Sequence, residues 1–319
     1  MLIVESKTLD YPEDLKFEIK TSPMTFPSGN KSKSRIAVMH DGDFKDKKDG
    51  IEIYDYDVGS DYSPHSHYKV MDIASEILAS NFNTNDIDVY DYLDKEYAQA
   101  KREIILNDYS ENIKSQRKLN DTCSIKVNIE SSLDGKKPMR ITISIIRLAC
   151  KNGMTTADNF ITSVRKHTSA FSLSDFKDKV IYYASNGAKS FERDIETFKD
   201  LVKRNITDEE VIKFLKQGMC YTKKPCKDTS EHFNKKMFEN MLREYRLNQR
   251  FLGSTAWSLY NAMTHYSTHA EDSKWLDDKQ ELKTNTLRVI DLREREVYKA
   301  LTSDAWQSLL NSASFVEYR

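Results

Sequence analysis

The sequence has 319 residues, 39% apolar and 31% charged, which is enough for about two domains and a substantial core under a very polar surface. No stretch approaches the roughly 18 apolar residues of a membrane span, and the opening MLIVESKTLDYPEDLKFEIK turns acidic too early for a signal peptide. Four cysteines in unlike contexts (Cys123, Cys150, Cys220, Cys226) suit reduced thiols in a cytoplasm better than a secreted disulfide framework.

The net charge of −1 hides an asymmetry. Residues 1–113 hold 13 Lys/Arg against 23 Asp/Glu, residues 114–167 hold 11 against 4, and residues 168–319 hold 25 against 23. A basic block behind an acidic one has two readings: a polyanion partner, or pairing with the acidic part of the same chain.

In chain order, Leu15–Ile19, Arg35–Met39 and Ile51–Tyr56 read as short strands, with residues 40–50 (HDGDFKDKKDG) as a loop between the last two. Residues 70–80 read as a helix. Residues 86–108 fit either a helix or a segment ending in a strand at Arg102–Leu106. The clearest patterning follows. Ile125, Val127 and Ile129 alternate with polar residues, Asp134-Gly135 marks a turn, and Ile141, Ile143 and Ile145 resume the alternation, which predicts a long hairpin. Asn152-Gly153 reads as another turn and Phe160–Thr168 as a strand. From about residue 172 the apolar period becomes helical through Phe176, Val180, Ala184, Phe191, Ile195 and Phe198. Ser172 with Asp175 resembles an N-terminal box, and Thr207 with Glu210 forms a capping box. Further helices are expected at about 230–250, 254–269 and 303–311. The fold class is therefore α+β: an antiparallel β-rich N-terminal half with a long central hairpin, then a helical C-terminal half. Residues 1–168 are expected as a mainly β domain, and residues 169–319 as a helical region packed on it.

No constellation carries recognisable catalytic chemistry. His65 and His67 with Asp61 offer metal-ligand types but no third ligand at a known spacing. Cys220, Cys226 and His232 are too widely spaced for a zinc knuckle. His265 and His269 stand one helical turn apart but lack the glutamate of a zinc protease. Walker, dinucleotide, serine-hydrolase and kinase signatures are missing. The sequence names no catalytic residue, cofactor or metal.

The basic centre is the functional candidate. Lys126, Lys136, Lys137, Arg140, Arg147, Lys151, Arg165 and Lys166, with Lys114, Arg117 and Lys118 before them, lie on or beside predicted strands. A sheet with cations on one face can track a phosphate backbone, single-stranded DNA included. Aromatic residues are scarce there, so Tyr54, Tyr56, Tyr62 and Tyr68 are the candidates for base stacking.

Residues Arg147-Leu148-Ala149-Cys150-Lys151-Asn152-Gly153-Met154, then Val164-Arg165-Lys166-His167-Thr168, and later Thr255–Tyr266 with Asn261, resemble a phage- and plasmid-borne family carrying domain of unknown function 932. The resemblance spans roughly residues 60–270; Lys166 between Arg165 and His167 departs from its pattern. It singles out Arg147, Cys150, Asn152, Gly153, His167, Thr168 and Asn261. The physical reading of these is chiefly structural, with Arg147 and His167 hydrogen-bonding across strands. It implies a mobile-element protein of a bacterial cytoplasm, close to DNA replication or recombination, and supplies no catalytic residue. The second reading is a non-enzymatic interaction protein with host or phage partners, away from membranes, with a homo-oligomer as one form.

Overall fold

The computed structural model describes residues 2–41, 56–94, 97–136, 139–148, 152–154, 161–165, 173–225, 230–269, 287–312 and 314–315. The chain is α+β, as the alternation and the change of period require. Strand β1 (Leu2–Ser6) opens it, followed by β2 (Glu18–Thr25), β3 (Lys31–Asp41), β4 (Tyr56–Gly59) and helix α1 (His67–Asn81). Then come β5 (Ile87–Leu93), β6 (Gln99–Lys114), β7 (Asn120–Ser132), β8 (Met139–Arg147), β9 (Asn152–Met154) and β10 (Ile161–Arg165). The C-terminal half holds α2 (Leu173–Lys203), β11 (Arg204–Asn205), α3 (Asp208–Phe214), α4 (Lys235–Leu252), α5 (Ala256–His269), α6 (Leu287–Leu301), α7 (Asp304–Ser312) and β12 (Ser314–Phe315). The main sheet runs β1-β5-β6-β7-β8-β10, with β9 also on β8, and β2-β3-β4 form a separate three-stranded sheet.

Several expectations are amended. The strand placed at Leu15–Ile19 is a 3-10 turn at Glu13–Leu15 and then the start of β2. The ambiguous residues 86–108 are two strands, β5 and β6, whose alternating burial leaves a helix no apolar stripe. Asn152-Gly153 is no turn: the pair lies in β9, opposite Arg147 and Ile146. Helix α6 was not anticipated. The segment Ile51–Asp55, most of the loop 40–50, Tyr54, Ser172 and the side chain of Asp175 fall outside the described residues.

The chain divides into two compact units. The first comprises Met1–Tyr109, Ile125–Ile143 and Ile161–Ala188. Its core joins the apolar side of α1 (Val70, Met71, Ala74, Leu78) to Val89, Leu93, Ile104 and Leu106, and to Ile125, Val127 and Ile129 of β7. In α2, Gly187 allows close packing: a Cβ there would meet Phe82 at 3.2 Å and Ile143 at 3.4 Å.

The second unit comprises Ser110–Ser124, Ser144–Phe160 and Lys189–Arg319. Its core collects Phe191, Ile195, Phe198, Val211, Phe214, Met241, Tyr245, Trp257, Tyr260, Val297 and Trp306. The capping box at α3 is present, with the Thr207 Oγ1 accepting from the Glu210 N–H and Glu210 accepting from the Thr207 N–H. Gly253 ends α4 at φ +100°, and a Cβ there would fall 2.5 Å from the Gln116 Oε1, so only glycine suits this position.

One charge lies deep in the first unit. Arg102 of β6 is fully buried and uses all five N–H groups. It donates to both Asp91 oxygens at 2.8 Å, to the Leu9 and Asp10 carbonyls at 2.7 and 3.0 Å, and to the Ser75 hydroxyl at 2.9 Å. Truncation would strand the Asp91 carboxylate out of water. Arg102→Ala is expected to cost about 3–5 kcal/mol, measured as a fall in the denaturant midpoint with an unchanged slope.

Candidate functional site

The sheet face expected to be cationic is instead neutralised within the first unit. Glu103 of β6 accepts from Lys101 beside it, from Lys126 of β7 at 3.3 Å and from the Tyr92 hydroxyl at 3.3 Å. Lys101 also stands 5.7 Å over the Tyr92 ring. Burial alone would raise the Glu103 carboxyl, but the two ammonium groups outweigh it and hold the acid far below its ordinary 4.5. Arg140 of β8 reaches Glu130 of β7 at 3.6 Å. Only 11% of the Lys126 side chain and 13% of the Arg140 side chain meet solvent. Each of these two cations is therefore paired with an acid of its own chain, and Glu103 belongs to the acidic first block.

Arg147 is matched internally too, by a hydrogen bond across strands. It is buried in the second unit and donates to Asp121 of β7, whose other oxygen accepts from the Trp257 indole N–H at 3.0 Å. Trp257 stacks on Tyr260, with centroids 5.6 Å apart and planes 9° apart, and Phe198 packs within 5.0 Å of Trp257. Burial, then the Asp121 charge, pushes the adjacent Cys123 thiol well above its usual range, so it is packing rather than a nucleophile. Asn261 is buried one turn further along α5 and donates to the Trp257 carbonyl at 2.9 Å. This part of the sequence motif is a structural knot.

Lys136 is different: 71% of its side chain is exposed, although it pairs with Asp134 at 3.2 Å. Lys137, Cys150, Lys151, Lys166, His167 and Thr168 lie outside the described residues. Arg165 is opposite Met139 in β10, and Asn152 and Gly153 are in β9; the side chains of these three are not among those described. Of the tyrosines, Tyr62 donates to the Ser132 carbonyl and Tyr68 to Glu18, so both are already engaged.

One group of cations without an ion pair among the described residues sits elsewhere. At the turn from β6 to β7, Lys114, Arg117 and Lys118 are exposed within five residues, with no ion pair to any described residue. The turn closes through the Ser115 N–H to the Leu119 carbonyl at 3.0 Å, with Lys118 at φ +59°. Gln116 anchors it by donating to the Val202 carbonyl and the Asn205 side chain at the end of α2. Three exposed cations thus surround a turn whose base is fixed by hydrogen bonds.

The histidine candidates are used structurally. His67 is buried at the start of α1 with Nε2 3.1 Å from the Tyr97 carbonyl. His232 Nδ1 lies 3.2 Å from the Lys223 carbonyl, Cys220 is buried, and His265 Nδ1 is 3.7 Å from Glu244. Cys226 and the His269 side chain fall outside the described residues. No three metal-binding side chains converge among the described residues, nor is any described helix long and apolar enough to cross a membrane. A groove of about 580 Å³ opens beside the π-helical turn Leu215–Met219, walled by Ile212, Lys213, Lys216, Tyr221, His232 and Phe233. Tyr221, 57% exposed, lies nearly parallel to His232.

A family model described as "Domain of unknown function (DUF932)" matches residues 57–299. The chain belongs to the DUF932 family. The match takes in the Asp121–Arg147–Trp257 knot, the β6–β7 turn and the groove. No curated protein and no solved structure matches this DUF932 chain.

Because the Glu103 acid titrates below its unfolded value, its ion pairs stabilise the fold above about pH 4.5 and are lost as pH falls through the folded-state value. Glu103→Gln is expected to remove the carboxylate that Lys101 and Lys126 share. It should also flatten the acid side of the stability profile, read from thermal melts between pH 3 and 7.

Proposed function

We propose that this DUF932 protein binds nucleic acid as an accessory factor of phage or plasmid DNA metabolism, through the β6–β7 turn rather than the sheet face. The observation that carries this reading is the cluster Lys114, Arg117 and Lys118: three exposed cations, unpaired among the described residues, on a turn pinned by Gln116. Cations already matched to Glu103, Glu130 and Asp121 would have to surrender a partner before meeting a phosphate, and these three would not. The sequence resemblance to a phage- and plasmid-borne family supports the same assignment. Such binding is largely electrostatic, tolerant of sequence and sensitive to salt.

Filter binding of labelled single-stranded DNA across a salt series tests it. Arg117→Glu with Lys118→Glu is expected to weaken binding at least tenfold at low salt and to flatten the dependence of log affinity on log salt by about 1–2 units. Lys126→Gln should leave the slope unchanged. No retention of DNA by the wild type at low salt sinks the proposal.

The second reading, a protein-interaction factor, is favoured by the Tyr221 groove, whose exposed aromatic wall between Lys213 and Glu231 suits a peptide side chain. Tyr221→Ala with intact DNA binding but lost partner capture would favour it over the first.

A further inference from the structure

Arg293 of α6 reverses the pattern set by Arg102. The residue is 3% exposed, yet Nε, Nη1 and Nη2 are all buried without a hydrogen-bond partner among the described residues. The guanidinium stands 5.7 Å from the Tyr266 ring centroid, a cation–π contact that satisfies none of its five donors. The nearby acid does not complete it. Glu296, one turn along α6, is exposed and accepts from the Tyr266 hydroxyl at 2.8 Å. Burial lowers the affinity of Arg293 for its proton more than Tyr266 and Glu296 raise it. Solvent cannot compensate, because the three nitrogens are out of contact with it. A buried guanidinium with no acceptor is among the most unfavourable arrangements a fold can hold, since charge and donors are both desolvated. The same chain shows, at Arg102, the full complement of acceptors such a group takes when the chain supplies them.

We propose that Arg293 anchors a phosphate group of a ligand, with Tyr266 backing the guanidinium and Glu296 held aside by the Tyr266 hydroxyl. Phosphate suits the site because its several oxygens can accept from both edges of the guanidinium fork, and Arg is the side chain best shaped to hold it bidentately. The phosphate is either that of a small molecule or that of a nucleic-acid backbone. The site stands independently of the cation cluster at the β6–β7 turn.

Thermal melting of the full chain in sodium phosphate, against sodium chloride of equal ionic strength and pH, tests it. The wild type is expected to gain several degrees with saturation, whereas Arg293→Met shows only the small, unsaturating rise that any excluded salt gives. In chloride, Arg293→Met should melt no lower than the wild type, because an uncompensated charge has been removed. Arg293→Lys keeps the charge without the fork and should respond with at least tenfold weaker apparent affinity; it decides the matter if the methionine variant fails to fold. A wild-type response no larger than that of either variant overturns the proposal. Competition of the phosphate response by single-stranded DNA assigns the phosphate to a backbone, and its absence assigns it to a small molecule.

Discussion

A charge removed from water needs a partner, and in each unit of this protein a strand-borne arginine–aspartate pair meets that need inside the core. Arg102 and Asp91 join β6 to β5, while Arg147 and Asp121 join β8 to β7. Neither pair is a source of large net stability, since desolvation offsets most of the attraction. Their effect is specificity. An arginine that must find an aspartate, two carbonyls and a serine, as Arg102 does, tolerates no slip of register. A one-residue shift would carry it to the opposite face of the sheet. Asp121 extends the constraint to α5 through the Trp257 indole, and Trp257 carries Phe198 and Tyr260 with it. Residues that look chemical in sequence are thus committed to holding strands and helices in place.

The opposite face of the sheet follows different rules. Lys101, Glu103, Lys126, Glu130 and Arg140 sit there in alternating sign, largely withdrawn from solvent. The excess of basic residues in the centre of the sequence is partly the counterpart of acids in the first block, as Glu103 with Lys126 shows. What remains for an external anion is the set the chain does not neutralise, and this moves attention from the middle of the hairpin to the β6–β7 turn.

Arg102 and Arg293 together show how a fold distinguishes a structural cation from a functional one. Both are deeply buried; among the described residues one has five acceptors and the other has none. The difference cannot be seen in hydropathy or charge count, because it depends on which acceptors the tertiary structure brings within 3 Å.

Much of the fold was legible. The period-two runs at Ile125–Ile129 and Ile141–Ile145, the helical period from Phe176, and the Thr207–Glu210 box each determine local structure through short-range sterics and burial, and the elements form where those patterns lie. Asp91 and Arg102 lay in residues whose type stayed open, but Arg147 shares the parity of Ile141, Ile143 and Ile145, and a charge on that parity must be buried and paired. Parity does not say with what. The partners Ser75, Leu9, Asp10 and Trp257 are 27 to 136 residues away from the groups they meet, and no local pattern encodes such distances. For the same reason the sequence alone counted the cations of residues 114–167 but could not tell which were already matched. It determined how many charges there are and, in the clearly alternating strands, which face they take; only the tertiary structure, by setting distances between remote segments, decided which are neutralised, which are exposed at the turn, and which, at Arg293, lie buried without a partner among the described residues.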